Sequence, residues 1–210
     1  MQTILFQGDS ITDVGRDRDD DGSWSALGCG YPLLVSARLG HDHPGTYRFL
    51  NRGISGNRVV DLYARIKQDF INLQPDVVSI LIGVNDVWHE IGDRNGVDAD
   101  KFERIYSMLL DELLCALPET QFLILQPFVT HGRATDGAWE TFSMQVPLRA
   151  AAAKRVAQAF SQTFVPLQEV FDKALALAPA EHWTMDGVHP TVFGHELIAR
   201  EWVKAFESLK

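Results

Sequence analysis

The chain has 210 residues, a formal net charge of −9 and a hydrophobic content of 46%. This length and composition predict a single globular domain over residues 1–210 with a sizeable core. The negative charge argues against nucleic acid or anionic lipid as a partner, because binding either one requires a basic face.

Short apolar runs predict about five β-strands. The first run, residues 3–7, directly precedes Gly8. The most strongly apolar run, residues 77–82, is typical of a central parallel strand that is covered on both faces. The remaining strands are predicted at residues 47–50, 122–125 and 164–167.

The segments between these strands carry apolar residues at helical spacing. Strands that alternate with helices predict a parallel sheet with helices on both faces. Residues 13–30 and 128–143 are expected to be loops. Helices are predicted at residues 31–39 (stopped by Gly40), 59–73, from Asp98 or Asp100 to Ala116, 150–160 (with Pro147 near the first turn), 169–177 and 193–209.

Ser10 follows the first predicted strand in the sequence Gly8-Asp9-Ser10. A strand end fixes the backbone of a nucleophile, and a neighbouring glycine lets a ligand approach closely. A serine is inert by itself, however, and here it could also be a simple turn or cap residue. Its interpretation depends on whether the chain supplies a base, an orienting carboxylate and an oxyanion hole.

Two further polar segments follow predicted strands. Gly56 lies in a glycine-rich turn after the second strand, and Asn85 follows the third. Ligands of parallel sheets bind beyond the carboxyl ends of the strands, so Ser10, Gly56 and Asn85 are expected to converge. Each residue alone could be an ordinary turn residue, but together they predict a site.

Asp186 and His189 lie near the C-terminal end of the sequence. An aspartate three residues before a histidine can accept the Nδ1–H, which leaves Nε2 free to take a proton. If the last helix packs beside the first strand, His189 lies over Ser10. A histidine near a helix start could also be a surface or capping residue.

The segments around Ser10, Gly56, Asn85 and the Asp186–His189 pair occur in the order of four signature blocks. The chain resembles the SGNH, or GDSL, hydrolase family over nearly its whole length. The resemblance implies a three-layer α/β/α sandwich with a flavodoxin-like parallel sheet. It also implies a serine esterase that acts on a small acyl ester without a metal or cofactor.

The same resemblance implies a role for each matching residue. Ser10 would be the nucleophile, His189 the general base and Asp186 the carboxylate that orients the imidazole. The oxyanion donors would be the backbone N–H groups of Ser10 and Gly56 and the side-chain amide of Asn85.

Residues 8–16, 27–31 and 82–88 are most similar to the intracellular acetylxylan esterases of this family. That similarity implies removal of acetyl groups from xylo-oligosaccharides or related sugars. Asp9, Trp88 and Trp183 are candidate substrate contacts; an aromatic ring suits a sugar face, although both tryptophans could equally belong to the core. The alternatives are a lysophospholipase, thioesterase or arylesterase with the same site, and a catalytically inactive binding module.

The cysteines Cys29 and Cys115 form no CxxC pair, which favours reduced thiols in a cytoplasmic protein. The sequence carries neither a signal-peptide pattern nor an apolar run of the ~18 residues that a membrane span needs. We therefore expect no membrane association. Homo-oligomers are common among similar proteins, so self-association is also expected.

Overall fold

The computed structural model describes residues 1–209. Five parallel strands form one sheet in the order β2-β1-β3-β4-β5. This order is that of a flavodoxin-like doubly wound sheet, so the predicted fold class is confirmed. The strands are β1 Gln2–Gly8, β2 Tyr47–Asn51, β3 Val77–Leu81, β4 Gln121–Leu125 and β5 Thr163–Val165.

Helices cover both faces of the sheet. Alternate side chains of each strand point to opposite faces, and they belong to two separate buried clusters. Phe6 packs on one face with α2 and α10, whereas Leu5 packs on the other face with α3, α6 and α7. The helices are α1 Ser10–Asp13, α2 Tyr31–Asp42, α3 Val59–Ala64, α4 Ile66–Asp69, α5 Val84–Asp93, α6 Ala99–Ala116, α7 Trp139–Ala159, α8 Gln168–Leu175, α9 Ala180–Trp183 and α10 Val192–Glu207.

Two predicted helix boundaries are wrong. Helix α2 continues through Gly40, because a single exposed glycine weakens a helix by only about 1 kcal/mol. Helix α7 begins eleven residues before position 150, at Trp139, and therefore contains Pro147 in its interior. Buried side chains on both sides of the proline, Val146 and Ala150, hold the helix against the sheet despite the missing N–H.

Two other segments differ from the prediction. The predicted helix over residues 59–73 is divided into α3, α4 and a 3₁₀ turn at Ile71–Leu73. Helix α5, which follows β3 directly, was not predicted at all. No helix within residues 1–209 has the length and apolar character that crossing a membrane requires.

Candidate active site

Ser10 occupies the first position of a one-turn helix at the carboxyl end of β1. Gly8 ends the strand, and a side chain there would collide with the carbonyl oxygen of Leu81 on β3. The carboxylate of Asp9 caps the turn by accepting the N–H of Ile11 at 2.9 Å. The backbone that carries Ser10 is therefore fixed on both sides of the residue.

The two ends of the chain meet at this point. The hydroxyl of Ser10 lies 2.8 Å from Nε2 of His189, although 179 positions separate the two residues. Nδ1 of His189 lies 2.8 Å from Oδ2 of Asp186. The three side chains thus form the continuous hydrogen-bonded series by which a serine hydroxyl can pass its proton to an imidazole.

Asp186 is held as a carboxylate by its hydrogen bonds. Burial opposes its ionisation, but the backbone N–H and ring of His189 and the N–H of Val188 bond to its oxygens. These donors outweigh burial and hold the pKa of Asp186 below its usual range. An ionised Asp186 can stabilise the imidazolium that forms when His189 takes a proton.

Three potential oxyanion donors lie beside Ser10. The backbone N–H groups of Ser10 and Gly56 donate no hydrogen bond to any of residues 1–209. Gly56 has a φ of 84°, a left-handed conformation that favours glycine. The amide of Asn85 donates to the carbonyl of Asn57 at 3.1 Å, and its second N–H remains for a ligand.

Polar side chains that were not predicted as site residues hold this arrangement together. Asp13 accepts the N–H of Ser55 at 3.0 Å and its hydroxyl at 2.9 Å, which ties the Gly56 turn to α1. Asn51 donates to the carbonyls of Thr12 and Leu27 at 2.7 and 3.0 Å. Their only sequence signal is their position at the ends of α1 and β2, where polar residues are common.

Asp9 and Asp86 lie behind the site rather than in it. Burial raises the pKa of Asp9 to about 7 and that of Asp86 to about 8. The carboxylate of Asp86 accepts the N–H of Val59, which joins the start of α5 to the start of α3. Both carboxyl groups are completely buried, at 1% and 0% exposure, and so act on the backbone around the site.

The pocket in front of Ser10 has a volume of about 360 Å³. It contains Trp88, one of the three predicted substrate contacts. The structure does not bring the other two to the pocket: Asp9 is buried, and Trp183 packs on the core and donates to the carbonyl of Ala178. The pocket lining is Ser10, Ser55, Gly56, Asn85, Trp88, His89, Gly92, Asp93 and His189.

His89 and Asp93 are pocket residues that were not predicted from the sequence. Both lie on α5, and the apolar spacing of Val84, Val87 and Trp88 could have indicated this helix. Once the helix is known, residues four positions apart share a face, which places His89 and Asp93 in line with Asn85.

Residues 1–209 contain no group of three or more His, Cys, Asp or Glu side chains that could hold a metal ion. The acidic segment around Asp17 forms local turns instead. Asp17 accepts backbone N–H groups of Asp19 and Asp20, while Asp21 pairs with the guanidinium of Arg52.

A parallel α/β sheet with a serine, a histidine and an aspartate joined in this way at its carboxyl edge defines the serine hydrolase class. A model of the GDSL-like lipase/acylhydrolase family matches residues 6–197. The chain therefore belongs to the GDSL-like lipase/acylhydrolase family, and it is a carboxylic ester hydrolase. The resemblance stated from the sequence is confirmed.

Individual relatives extend this comparison. An acetylxylan esterase of Geobacillus stearothermophilus is 36% identical over 97% of both chains. A solved structure of a variant of this enzyme has a TM-score of 0.87 at 34% identity, covering 97% of this chain and 93% of the other. A protein of Parabacteroides merdae described as a GDSL-like lipase has a TM-score of 0.91 at 38% identity, covering 97% and 94% of the two chains.

Proposed function

We propose that the protein is an acetylesterase that removes acetyl groups from small acetylated sugars such as xylo-oligosaccharides. The observation that carries this proposal is the series of contacts from Ser10 through His189 to Asp186, each of 2.8 Å. These residues form the proposed catalytic triad. They open onto a pocket whose remaining lining includes the polar residues Ser55, Asn85, His89 and Asp93.

In the proposed acylation step, His189 takes the hydroxyl proton of Ser10 as Oγ attacks the acetyl carbonyl carbon. The carbonyl π electrons move to oxygen, and the N–H groups of Ser10, Gly56 and Asn85 stabilise the oxyanion. Collapse of the tetrahedral intermediate breaks the bond to the sugar oxygen. The sugar leaves with the proton from His189, and the acetyl group stays on Ser10.

In the proposed deacylation step, water occupies the place of the sugar hydroxyl. His189 takes one water proton while the water oxygen attacks the acetyl carbonyl, and the same donors stabilise the second oxyanion. The bond to Oγ of Ser10 then breaks, Oγ recovers its proton from His189, and acetate leaves. Asp186 stays ionised and bonded to Nδ1 of His189 throughout.

The names of the relatives support these assignments. Solved structures of the Geobacillus acetylxylan esterase include catalytic mutants in which alanine replaces a serine, an aspartate and a histidine. That aspartate and histidine are three positions apart, as are Asp186 and His189. Other solved structures of the same protein name it an acetyl-xylooligosaccharide esterase.

Acetate release from acetylated xylobiose tests the proposal. We expect release by the wild type and background rates for Ser10→Ala. A series of p-nitrophenyl esters of increasing acyl length tests the alternative lysophospholipase and thioesterase activities, and a comparison of acetylated xylobiose with phenyl acetate tests the alternative arylesterase activity. A maximum at acetate supports the proposal, whereas a maximum at long acyl chains, which need an apolar channel, would reject it.

We also propose that the protein acts in the cytoplasm and assembles with copies of itself. Two exposed free cysteines, Cys29 and Cys115, suit a reducing compartment. Trp24 is 95% exposed, and exposed apolar side chains of this size often mark contacts between subunits. Cell fractionation tests the compartment, and sedimentation equilibrium at micromolar concentration tests self-association; a monomer would reject the second proposal.

A further inference from the structure

The second half of α5 forms a wall of the pocket that the proposed reaction steps do not use. This wall consists of Trp88, His89, Gly92 and Asp93. His89 is half-buried and Asp93 is exposed. Both are polar, although the hydrolysis of an acetyl ester needs no further ionisable group than the proposed triad.

The wall extends along α5 away from Asn85, one of the potential oxyanion donors. Asn85, His89 and Asp93 are successive residues at a spacing of four, so they lie one above another on the helix. Nε2 of His89 lies 3.9 Å from the position that a Cβ on Gly56 would occupy. The row spans about 12 Å from Asn85 to Asp93, which exceeds the width of one sugar ring.

The side chains of His89 and Asp93 have unused hydrogen-bonding groups, although the charge of His89 contributes to lowering the pKa of Asp61. The ring of His89 and the carboxylate of Asp93 form no hydrogen bond or ion pair with any of residues 1–209. A side chain that lines a pocket and forms no hydrogen bond within the protein is available to form hydrogen bonds with a ligand.

The chemistry of these side chains fits the alcohol half of the substrate better than the acyl half. An acetyl group ends in a methyl group, which has nothing to donate or accept. Neutral imidazole donates one hydrogen bond and accepts another, and a carboxylate accepts from two hydroxyls. Such a pair suits a molecule with several neighbouring hydroxyl groups.

We propose that His89 and Asp93 select the alcohol by hydrogen-bonding its free hydroxyl groups, with the ring of Trp88 lying against the sugar ring. This inference rests on the proposed acetylesterase function and names the residues that make it specific for a sugar. Gly92 leaves room for the sugar between the two polar side chains, since a Cβ there would meet no atom within 4 Å.

The test compares two acetate esters of equal ring size. Methyl 2-O-acetyl-xylopyranoside carries free hydroxyls, whereas cyclohexyl acetate carries none. The measured quantity is the ratio of kcat/KM for the two esters, from initial rates of acetate release on one protein sample. A reduced folded fraction cancels in this ratio.

We expect the wild-type ratio to exceed one, and His89→Ala and Asp93→Ala each to lower it about tenfold, the loss of roughly one hydrogen bond. His89→Gln keeps a donor and an acceptor and should recover most of the ratio. The matched controls are His41→Ala and Asp111→Ala, which change exposed residues of α2 and α6 and should leave the ratio unchanged.

Two outcomes would overturn the inference, and they differ in what else they reject. If the wild type prefers the sugar ester and both variants keep that preference, only the roles of His89 and Asp93 are rejected. If the wild type hydrolyses the sugar ester no better than cyclohexyl acetate, the proposed sugar specificity is rejected together with them.

Discussion

Two regions that meet at the pocket differ in whether their polar side chains form hydrogen bonds within the protein. In the C-terminal segment, Asp186 accepts three hydrogen bonds, and Nδ1 of His195 accepts the N–H of Tyr31 at 3.2 Å. In the second half of α5, the side chains of His89 and Asp93 have no hydrogen bond or ion pair to any of residues 1–209.

The difference separates the groups that fix geometry from those that are free to meet a ligand. Paired groups are pre-organised, so the proposed proton transfer from Ser10 to His189 would require little rearrangement. Unpaired groups on a rigid helix can bond a substrate without first breaking a bond in the protein. Changes in the first region should therefore affect every ester, and changes in the second should affect the choice among esters.

The largest effect is expected when the paired series is broken. Ser10→Ala removes the proposed nucleophile, and Asp186→Asn should leave His189 with the wrong tautomer; each should lower kcat by about 10⁴ or more. Acetate release from phenyl acetate measures both variants. Ser36→Ala, on the surface of α2, is the control. Asp186→Asn with near wild-type kcat would show that the proposed triad is wrong.

The next effect concerns the oxyanion donors. Asn85→Ala removes one donor while His189 and Ser10 keep their contact, so kcat should fall about 10²–10³-fold on every acetate ester. Stopped or steady-state assays of phenyl acetate measure the loss, and Asn72→Ala, at an exposed position, serves as the control. A fall confined to sugar esters would instead place Asn85 among the residues that select the alcohol.

A smaller effect concerns stability at acid pH. Burial, with a contribution from the charge of His189, lowers the pKa of His195 from 6.5 to about 4. The stabilisation from neutral His195 is complete above pH 6.5 and is lost as the pH falls towards 4, by about 3 kcal/mol in the free energy of unfolding.

His195→Asn tests this pH dependence, because asparagine still accepts the N–H of Tyr31 but does not titrate. Urea unfolding should show that the free energy of unfolding decreases less between pH 7 and pH 4 for the variant than for the wild type. His41→Asn, at an exposed histidine, should track the wild type. If the free energies of unfolding of His195→Asn and the wild type differ by the same amount at both pH values, the lowered pKa of His195 does not contribute to the acid sensitivity.

The smallest effect on activity is expected at Trp88, which belongs to α5 but lies beside His189 of the C-terminal segment. Its ring lies 5.9 Å from the ring of His189 and packs edge-on against Phe142. Trp88→Ala should lower kcat/KM for sugar and cyclohexyl esters alike, by several-fold, since both rings lose the same apolar face. Trp88→Phe should recover part of the activity. A fall for the sugar ester alone would make Trp88 a hydroxyl-selecting residue.

The sheet and the residues of the proposed triad could be predicted from the sequence. Ser10 follows a strand, and the Asp186-x-x-His189 spacing needs only a turn to join its two side chains, so local rules suffice. That Ser10 and His189 touch depends on α10 packing beside β1, which the resemblance to a known family implied and no local pattern could fix.

The failed predictions have a common physical cause in tertiary packing. Pro147 argues against a helix, yet burial of Val146 and Ala150 in the cores outweighs the lost hydrogen bond. Asp9 and Trp183 carry polar or aromatic groups that suit a sugar. Burial removes Asp9 from the pocket, and Trp183 is only partly buried but packs against the core with its ring N–H bonded to Ala178.

The contact between Ser10 and His189 joins residues 179 positions apart. During synthesis, an emerging chain of this protein has its proposed nucleophile from the outset but its proposed base only when the last helix begins to leave the ribosome. Every truncated or half-folded species is therefore expected to be inert towards esters. Hydrolysis in a refolding experiment would thus report completion of the native topology, whereas recovery of helical signal would precede it.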